Sequence, residues 1–255
     1  MSAPKVFVIP QWQGSSRSTA EEMAAGATLL AQAFAHDGDI DTVDAPDLPR
    51  GGAAVAAVRQ VLARMLAQLD PTDPITLLGG DCSVDGAALA RSLADPDVAV
   101  VWLDAHPDAN TAISSPSGAP HGMVARTELA EDPQRLVYVG TRAMDPEERR
   151  WIDQHAIPVL GTDATPQQLR EATGERGAVH VHLDLDVLDP GWFAGLAFPE
   201  PHGMKPAVLV DLLASLTHDL EVRCLTVTEC VPPTTQKRLD ADRAVLVELA
   251  AAIHG

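Results

Sequence analysis

A regular alternation of short apolar runs with longer helical patterns constrains the fold of this chain more than any other feature. Between the apolar runs, apolar residues recur every three or four positions, as on one face of a helix. Helices between successive strands let the strands run parallel, so the pattern predicts a three-layer α/β/α fold around a mostly parallel sheet of about eight strands. A last helix is predicted around residues 242–253. The predicted strands are residues 6–9, 40–43, 75–78, 98–103, 136–139, 157–160, 179–184 and 222–228.

Size, charge and cysteine content narrow the class of protein. With 255 residues and no internal repeat or linker, residues 1–255 are expected to form a single domain. The first residues lack the apolar region of a signal peptide, and the three cysteines lack disulfide spacing, so we expect a cytoplasmic location. The net charge of −18 argues against nucleic acid as a partner, and no apolar run is long enough to cross a membrane.

Two acidic clusters follow two of the most apolar predicted strands. The first contains Asp104, His106 and Asp108, and the second contains Asp184 and Asp186. Ligands of parallel α/β sheets bind beyond the carboxyl ends of the strands, where both clusters are predicted to lie. Neither cluster contains Lys or Arg, and buried carboxylates repel one another unless a cation lies among them. The clusters therefore predict a metal site.

The number of acidic groups favours two metal ions over one. Oxygen donors with one imidazole suit a hard or borderline divalent ion, and Mn²⁺ is the leading candidate. A single catalytic ion must keep open positions, whereas two ions about 3.5–4 Å apart can share bridging carboxylates. The alternative is that these residues are helix caps, turn residues and surface charges. His180 and His182 alternate on the strand before the second cluster, and we expect core or supporting roles for them rather than metal ligation.

Five short blocks of the sequence resemble the signature blocks of the ureohydrolases, the arginase and agmatinase family. They occur in the family's order and roughly its spacing, and the similarity extends over nearly the whole chain. The blocks are Gly-Gly-Asp-Cys-Ser (79–83), Asp-Ala-His-Pro-Asp (104–108), Ser-Pro-Ser-Gly-Ala-Pro-His-Gly (115–122), Asp-Leu-Asp-Val-Leu-Asp-Pro (184–190) and Val-Thr-Glu-Cys-Val-Pro (227–232).

The resemblance implies an arginase-like fold and hydrolysis of a guanidinium group by a hydroxide that bridges two Mn²⁺ ions. Asp104 and Asp184 would then bridge the ions. Asp108 and position 82 would complete the shell of one ion, and His106 and Asp186 that of the other. The implied metal ligands are therefore Cys82, Asp104, His106, Asp108, Asp184 and Asp186.

The resemblance also implies the catalytic groups. Asp108 would accept a hydrogen bond from the hydroxide and help to pass its proton to the leaving amine. His121 would shuttle protons to solvent, since the pKa of histidine lies near the working range. Glu229 would pair with the cationic group of the substrate. The alternative for His121 is a loop residue without a catalytic role.

Cys82 departs from the family's pattern, which has histidine at this position. Thiolate prefers Zn²⁺ or Cu⁺ to Mn²⁺, so the change should weaken one of the two manganese sites. Cys82 binds as a thiolate, or it stays a neutral thiol and leaves one ion per chain, or the protein uses another metal. The change is similar to that in the Nω-hydroxy-L-arginine hydrolase of cycloserine biosynthesis.

Three residues correspond to positions where arginases bind the amino-acid end of the substrate. Asn110 and Ser117 match positions that bind the α-carboxylate, and Asp145 matches one that binds the α-amino group. Ala119 and Ala143 depart from the pattern. Asp145 also precedes a proline and fits equally well as a helix N-cap, and Ser117 can simply shape its loop.

These features predict an amidinohydrolase that releases urea or hydroxyurea from L-arginine or Nω-hydroxy-L-arginine. The expected partner is this small guanidino substrate, with a homo-oligomer as a further expectation. The alternatives within the same chemistry are agmatinase, guanidinobutyrase and formimidoylglutamase activity. A metal-poor relative without catalytic activity is the alternative from another class.

Overall fold

The computed structural model of the chain describes residues 4–34, 40–44 and 47–254. Within these residues, eight parallel strands form one sheet in the order β2-β1-β3-β8-β7-β4-β5-β6, and helices pack against it. None of the described helices is long and apolar enough to span a membrane. The strands are β1 (Lys5–Ile9), β2 (Ile40–Thr42), β3 (Ile75–Gly79), β4 (Val98–Leu103), β5 (Leu136–Val139), β6 (Val159–Leu160), β7 (Ala178–Asp184) and β8 (Glu221–Thr228). The helices are α1 (Glu22–Phe34), α2 (Gly52–Leu66), α3 (Gly86–Leu93), α4 (Val124–Leu129), α5 (Pro146–His155), α6 (Pro166–Thr173), α7 (Pro206–Asp219) and α8 (Gln236–His254).

The predicted α/β/α class and parallel sheet are confirmed, and two element boundaries are corrected. Strand β6 covers two residues instead of the predicted 157–160, because the amide of Ile157 donates to the carbonyl of Ile152 in α5 (3.1 Å) and Pro158 has no N–H to donate. Helix α8 begins at Gln236, six residues before the predicted start. Its first turn is mainly polar, so it carries no apolar stripe that could have marked the helix.

The two strands that precede the acidic clusters are neighbours at the centre of the sheet. Every residue of β4 and β7 is buried. β4 is apolar throughout, as expected of a strand covered on both faces, whereas β7 carries His180 and His182 between its apolar residues. Leu103 pairs in register with Leu183, so the residues that follow them, Asp104 and Asp184, lie side by side at the carboxyl edge. Sheet topology thus brings together two clusters that are far apart in the sequence.

Gly80 is the crossing point of three loops that surround this edge. Its amide donates to the carbonyl of Ile9 (3.0 Å), and its carbonyl accepts from the amide of Glu229 (2.7 Å). A Cβ atom at position 80 would lie 1.6 Å from the carbonyl oxygen of Gln11, which is far inside van der Waals contact. Only glycine therefore fits between the ends of β1, β3 and β8.

We expect Gly80→Ala to destabilise the protein by about 3 kcal/mol, since overpacking against backbone forces the chain to move. Gly52→Ala is the matched control, because a Cβ atom there meets nothing within 4 Å and alanine favours the helix. Chemical denaturation of both variants measures the difference. Equal stability of the two variants would contradict the close approach at Gly80.

Candidate active site

A cavity of about 490 Å³ lies at the carboxyl edge of the sheet, over the ends of β4 and β7. Its lining includes Cys82, His106, Asp108, Asp184 and Asp186, so the two clusters and the Gly-Gly-Asp-Cys-Ser block meet in one place. Asp104 is fully buried beside them. None of the described residues that line the cavity is Lys or Arg.

His106 lies between two carboxylates on one side of the cavity floor. Its Nδ1 atom is 3.0 Å from Oδ2 of Asp186 and 3.5 Å from Oδ1 of Asp104. Burial alone would lower the pKa of His106, but the charges and hydrogen bonds of Asp186 and Asp104 together outweigh it and raise that pKa. Burial and the repulsion from Asp186 raise the pKa of Asp104 to about 7. Without another cation, His106 is the positive partner of this half of the site.

Asp186 reaches this half of the site through a turn that follows β7. It lies in a 3₁₀ turn, Leu185–Val187, and its Oδ1 atom accepts from the amide of Ala105 (3.0 Å). Asp184, the last residue of β7, caps the same turn by accepting from the amide of Asp186 (2.8 Å). The turn therefore places the carboxylates of Asp184 and Asp186 at the cavity, although the two residues are only two positions apart.

Cys82 forms the other side of the floor. It begins the 3₁₀ turn Cys82–Asp85 after β3, and its Sγ atom donates to Oδ2 of Asp184 (3.1 Å). Burial, and then the charges of Asp108, Asp184 and Glu229, raise the pKa of Cys82 well above its usual value. Without a metal ion, Cys82 is therefore a neutral thiol that donates to a carboxylate.

Asp108 and Glu229 adopt left-handed backbone conformations, with φ of 48° and 61°. Such a conformation costs a non-glycine residue roughly 1–3 kcal/mol and often marks a functional site. Hydrogen bonds hold both residues in place: the carbonyl of Asp108 accepts from the amide of Ala125 (3.1 Å), and that of Glu229 accepts from the amide of Ala197 (3.1 Å). The fold thus places these two side chains over the floor at a cost in backbone strain.

Each of these strained residues has a buried oxygen without a partner among the described residues. Oδ2 of Asp108 and Oε2 of Glu229 make no hydrogen bond. Burial and the charge of Asp104 raise the pKa of Asp108 well above its usual value. Buried polar atoms are rarely unpaired in folded proteins, so both oxygens are available to a ligand.

His121 connects Glu229 to the surface. Its Nδ1 atom lies 3.2 Å from Oε1 of Glu229, and its Nε2 atom lies 3.3 Å from Oγ of the exposed Ser16. Burial alone would lower the pKa of His121, but the hydrogen bond to Glu229 and the charges of Glu229 and Asp81 together outweigh it and raise that pKa. The ring of Phe198 packs 5.1 Å away, centroid to centroid.

The residues at the floor fit divalent metal ions. Four carboxylates are buried here. The pKa values of Asp104, Asp108 and Asp184 are raised, and Asp186 has one imidazole partner. A cation would relieve the repulsion among the four. Three groups of residues could each hold an ion, because the donor atoms within each group lie within 4.8 Å of one another. They are Cys82, Asp104, Asp108 and His182; Asp104, His106 and Asp186; and Cys82, Asp184 and Glu229.

The mouth of the cavity holds the predicted substrate-binding residues. Asn110 donates from Nδ2 to Oδ2 of Asp145 (2.9 Å), so these two act as a pair. Asp145 is the N-cap residue of α5, and its amide donates to Oε2 of Glu148 (2.9 Å), as in a capping box. Ser117 also lines the cavity, and its Oγ atom accepts from the amide of Ala119 (3.2 Å). Both sequence interpretations of Asp145, as a cap and as a cavity residue, are therefore compatible with the structure.

Three acidic residues in and around the site were not among those predicted from the sequence. Glu148 accepts from the amide of Ala109 (3.0 Å) and thereby holds the loop after β4, and Glu200 lies 3.8 Å from Nε2 of His106. Asp85 is a buried hub that contacts His180 and His182. Glu148 could have been found from its position three residues after Asp145, which is the spacing of a capping box. The others depend on contacts between distant parts of the chain.

Comparisons with known proteins agree with this architecture. The profile of the Arginase family matches residues 12–253. An arginase of Bacillus subtilis is 32% identical over 153 residues, which cover 51% of this chain and 52% of the relative. Proclavaminate amidinohydrolase of Streptomyces clavuligerus is 34% identical over 152 residues, which cover 54% and 48%. The chain thus spans about half the length of the curated relatives it matches. The crystal structure of Bacillus subtilis arginase, 23% identical, superimposes with a TM-score of 0.84 and covers 100% of this chain and 99% of its own.

We expect Mn²⁺ to stabilise the protein more at pH 8 than at pH 5.5. In the metal-free protein the raised pKa of Asp104, about 7, exceeds its unfolded value of about 4. The folded state then holds a proton that the unfolded chain has lost, so its stability falls as the pH rises through this window. Mn²⁺ replaces that proton. At about 100 times the Kd, the gain is roughly 2.7 kcal/mol, or about 5–10 °C in Tm.

Differential scanning calorimetry with Mn²⁺ or with a chelator at both pH values measures this gain. Asp184→Asn, which removes one charge from the cluster, should reduce the gain. An equal gain at the two pH values, or none, would count against a metal site among these carboxylates.

Proposed function

Since the chain belongs to the Arginase family, we propose that it hydrolyses the guanidino group of an arginine-like amino acid with the help of divalent metal ions. One observation carries the proposal: buried carboxylates with unpaired oxygens line a cavity that contains no Lys or Arg among its described residues. Such a cavity suits metal ions and a cationic substrate. Relatives that bear the names arginase and proclavaminate amidinohydrolase support the same chemistry.

The metal ligands in this proposal are the residues of the cavity floor. Two Mn²⁺ ions would share Asp104 and Asp184, and only one would be held if Cys82 stayed protonated. Divalent ions supply the hydrolysis with a nucleophile, because they acidify water enough for it to react near neutral pH. The ligands would be Cys82, Asp104, His106, Asp108, Asp184 and Asp186.

Glu229 would hold the guanidinium group over the floor. Its Oε1 atom is already engaged by the amide of Cys82 (3.3 Å) and by His121, while its Oε2 atom is unpaired. A guanidinium N–H group donated to Oε2 would form a charge-assisted hydrogen bond inside a buried site. The left-handed backbone at Glu229 supports this role, because such strained conformations are often kept at functional sites.

Asp108 and His121 would move the protons of the reaction. Addition of water to the guanidino carbon and cleavage of the C–N bond require a proton on the leaving amine. Asp108, with its unpaired Oδ2 atom, would take a proton from water and deliver it to that nitrogen. His121, between Glu229 and the exposed Ser16, would exchange protons with solvent.

The mouth residues support an amino acid as the substrate rather than an amine. Asn110 and Asp145 form a polar pair that could bind an α-amino and an α-carboxylate group together, with Ser117 on the facing loop. Agmatine has no carboxylate and would leave Asn110 without a ligand. The cytoplasmic location and the homo-oligomer stay predictions.

Cys82 bears on which guanidine is preferred. A thiol that donates to Asp184 makes a weaker manganese ligand than imidazole. Nω-hydroxy-L-arginine has a more acidic guanidino group than arginine and tolerates a weaker metal centre, so it is the second candidate substrate. The two substrates give different products, hydroxyurea and urea.

The function is tested by incubating Mn²⁺-loaded protein with L-arginine, Nω-hydroxy-L-arginine and agmatine and measuring urea, hydroxyurea and the amine product. We expect turnover of one of the two amino acids and little turnover of agmatine. Asp108→Asn should lower kcat by about 10²–10⁴-fold, the usual contribution of a general acid–base residue. Absence of product from all three guanidines with metal bound would refute the proposed function.

The two roles of Asp145 can be separated with Asp145→Ala and Asp145→Asn. Both variants remove the charge, and we expect each to raise KM for the amino acid by the equivalent of about 1–3 kcal/mol. Only Asp145→Ala should also lose about 1 kcal/mol of folding stability, because asparagine remains a good N-cap. An unchanged KM for Asp145→Asn would leave Asp145 as a helix cap alone.

A further inference from the structure

His182 points into the metal centre from beneath the sheet edge. One of its ring nitrogens lies within 4.8 Å of donor atoms of Cys82, Asp104 and Asp108. Its Nδ1 atom faces the opposite way, 2.9 Å from Oδ2 of Asp85. Its Nε2 atom lies 3.5 Å from Oγ1 of Thr228, which is itself 3.6 Å from Sγ of Cys82. The nitrogen that faces the cluster is therefore Nε2.

The surroundings of Asp85 determine which nitrogen of His182 carries the proton. Asp85 is fully buried and accepts a hydrogen bond from Oγ1 of Thr226 (2.6 Å). It also lies 3.0 Å from Nε2 of His180, whose other nitrogen contacts Ser92 (2.9 Å). A carboxylate in this position needs a donor from His182, so Nδ1 carries the proton and Nε2 keeps a free lone pair.

Trp102 holds the ring of His182 in this orientation. The two rings stack with centroids 3.6 Å apart and planes 4° from parallel. The same indole donates from Nε1 to Oδ2 of Asp104 (3.0 Å). One side chain on β4 thus positions both a carboxylate and an imidazole of the cluster. A carboxylate behind the ring and a free nitrogen in front form the arrangement that metal-binding histidines usually have.

We propose that His182 is a metal ligand through Nε2, joining Cys82, Asp104 and Asp108 around one ion. It supplies from β7 the imidazole that position 82 lacks. This inference rests on the proposed metal-dependent function, and it departs from the expectation that His182 has only a supporting role. A donor set of one sulfur, one nitrogen and two oxygens suits Zn²⁺ or Co²⁺ better than a set of oxygens does.

Co²⁺ titration of the metal-free protein tests the assignment, with His182→Asn and His180→Asn as a matched pair. Both variants remove a buried imidazole from β7 that contacts Asp85, but of the two only His182 has a ring nitrogen within 4.8 Å of donor atoms of Cys82, Asp104 and Asp108. The readouts are the number of Co²⁺ ions bound, the Kd of each, and the thiolate-to-cobalt charge-transfer band of Cys82. Circular dichroism and thermal unfolding report whether each variant folds.

We expect His182→Asn to weaken binding of the ion near Cys82 by about 100-fold or more and to abolish or shift the charge-transfer band. His180→Asn should stay within about 10-fold of the unaltered protein, below the roughly 10–100-fold loss for a group that contacts a ligand directly, because His180 contacts Asp85 and not a proposed ligand. Unchanged binding in His182→Asn, or an equal loss in both variants, would overturn the proposal. A band lost only in His180→Asn would instead place the ion among Asp85, His180 and Cys224.

Two further measurements test the assignment. Adding Cys82→His to His182→Asn should restore the lost ion, because it returns an imidazole to the same centre. The second measurement leaves His182 intact and so does not depend on how well His182→Asn folds. Pulsed electron paramagnetic resonance of Mn²⁺-loaded His106→Gln should still detect a coordinated nitrogen, and its absence would contradict ligation by His182. Product assays on the same samples separate the two proposals: metal bound through His182 without guanidine hydrolysis refutes only the function. Hydrolysis with normal metal binding in His182→Asn refutes only this assignment.

Discussion

Repulsion among the buried carboxylates at the ends of β4 and β7 is the constraint on which the rest of the site depends. Without an ion, the molecule relieves it in three ways: by protonating Asp104 and its neighbours, by charging His106, and by placing the Cys82 thiol against Asp184. Each of these is the opposite of what a metal centre requires, since ligands must be deprotonated. Without an ion, these groups thus hold protons that a divalent ion would displace.

The fold maintains this unfavourable cluster because the strands beneath it are wholly buried. β4 is apolar along its whole length and β7 contributes Val179, Val181 and Leu183 to the core, and this burial offsets the desolvation of the acids at their ends. Strained residues at Asp108 and Glu229 add to the cost, and hydrogen bonds from loops that meet at Gly80 hold the second of them. The buried strands therefore stabilise the fold, and the acidic and strained residues at the sheet edge destabilise it, as is common at functional sites.

The sequence was informative wherever the signal was local. Strand positions followed from apolar runs, and the acidic clusters could be placed at the sheet edge because parallel strands share a direction. The short length of β6 was not predicted, because the amide of Ile157 bonds to the end of α5 rather than pairing in the sheet. The hub at Asp85 was missed entirely. Its partners are His180 and His182 on β7 and Thr226 on β8, and no spacing in the sequence indicates that they meet Asp85.

The strand order has a consequence for how the site arises during synthesis. β3, which leads to Cys82, and β4, which leads to Asp104, are made early, yet β8 and β7 lie between them in the finished sheet. Until the ribosome has released the last third of the chain, both early strands present unpaired edges and the acids have no facing partners. Unpaired edges of this kind favour edge-to-edge association until their partner strands are made. A metal ion that needs ligands from both β4 and β7 can therefore bind only after the sheet is complete.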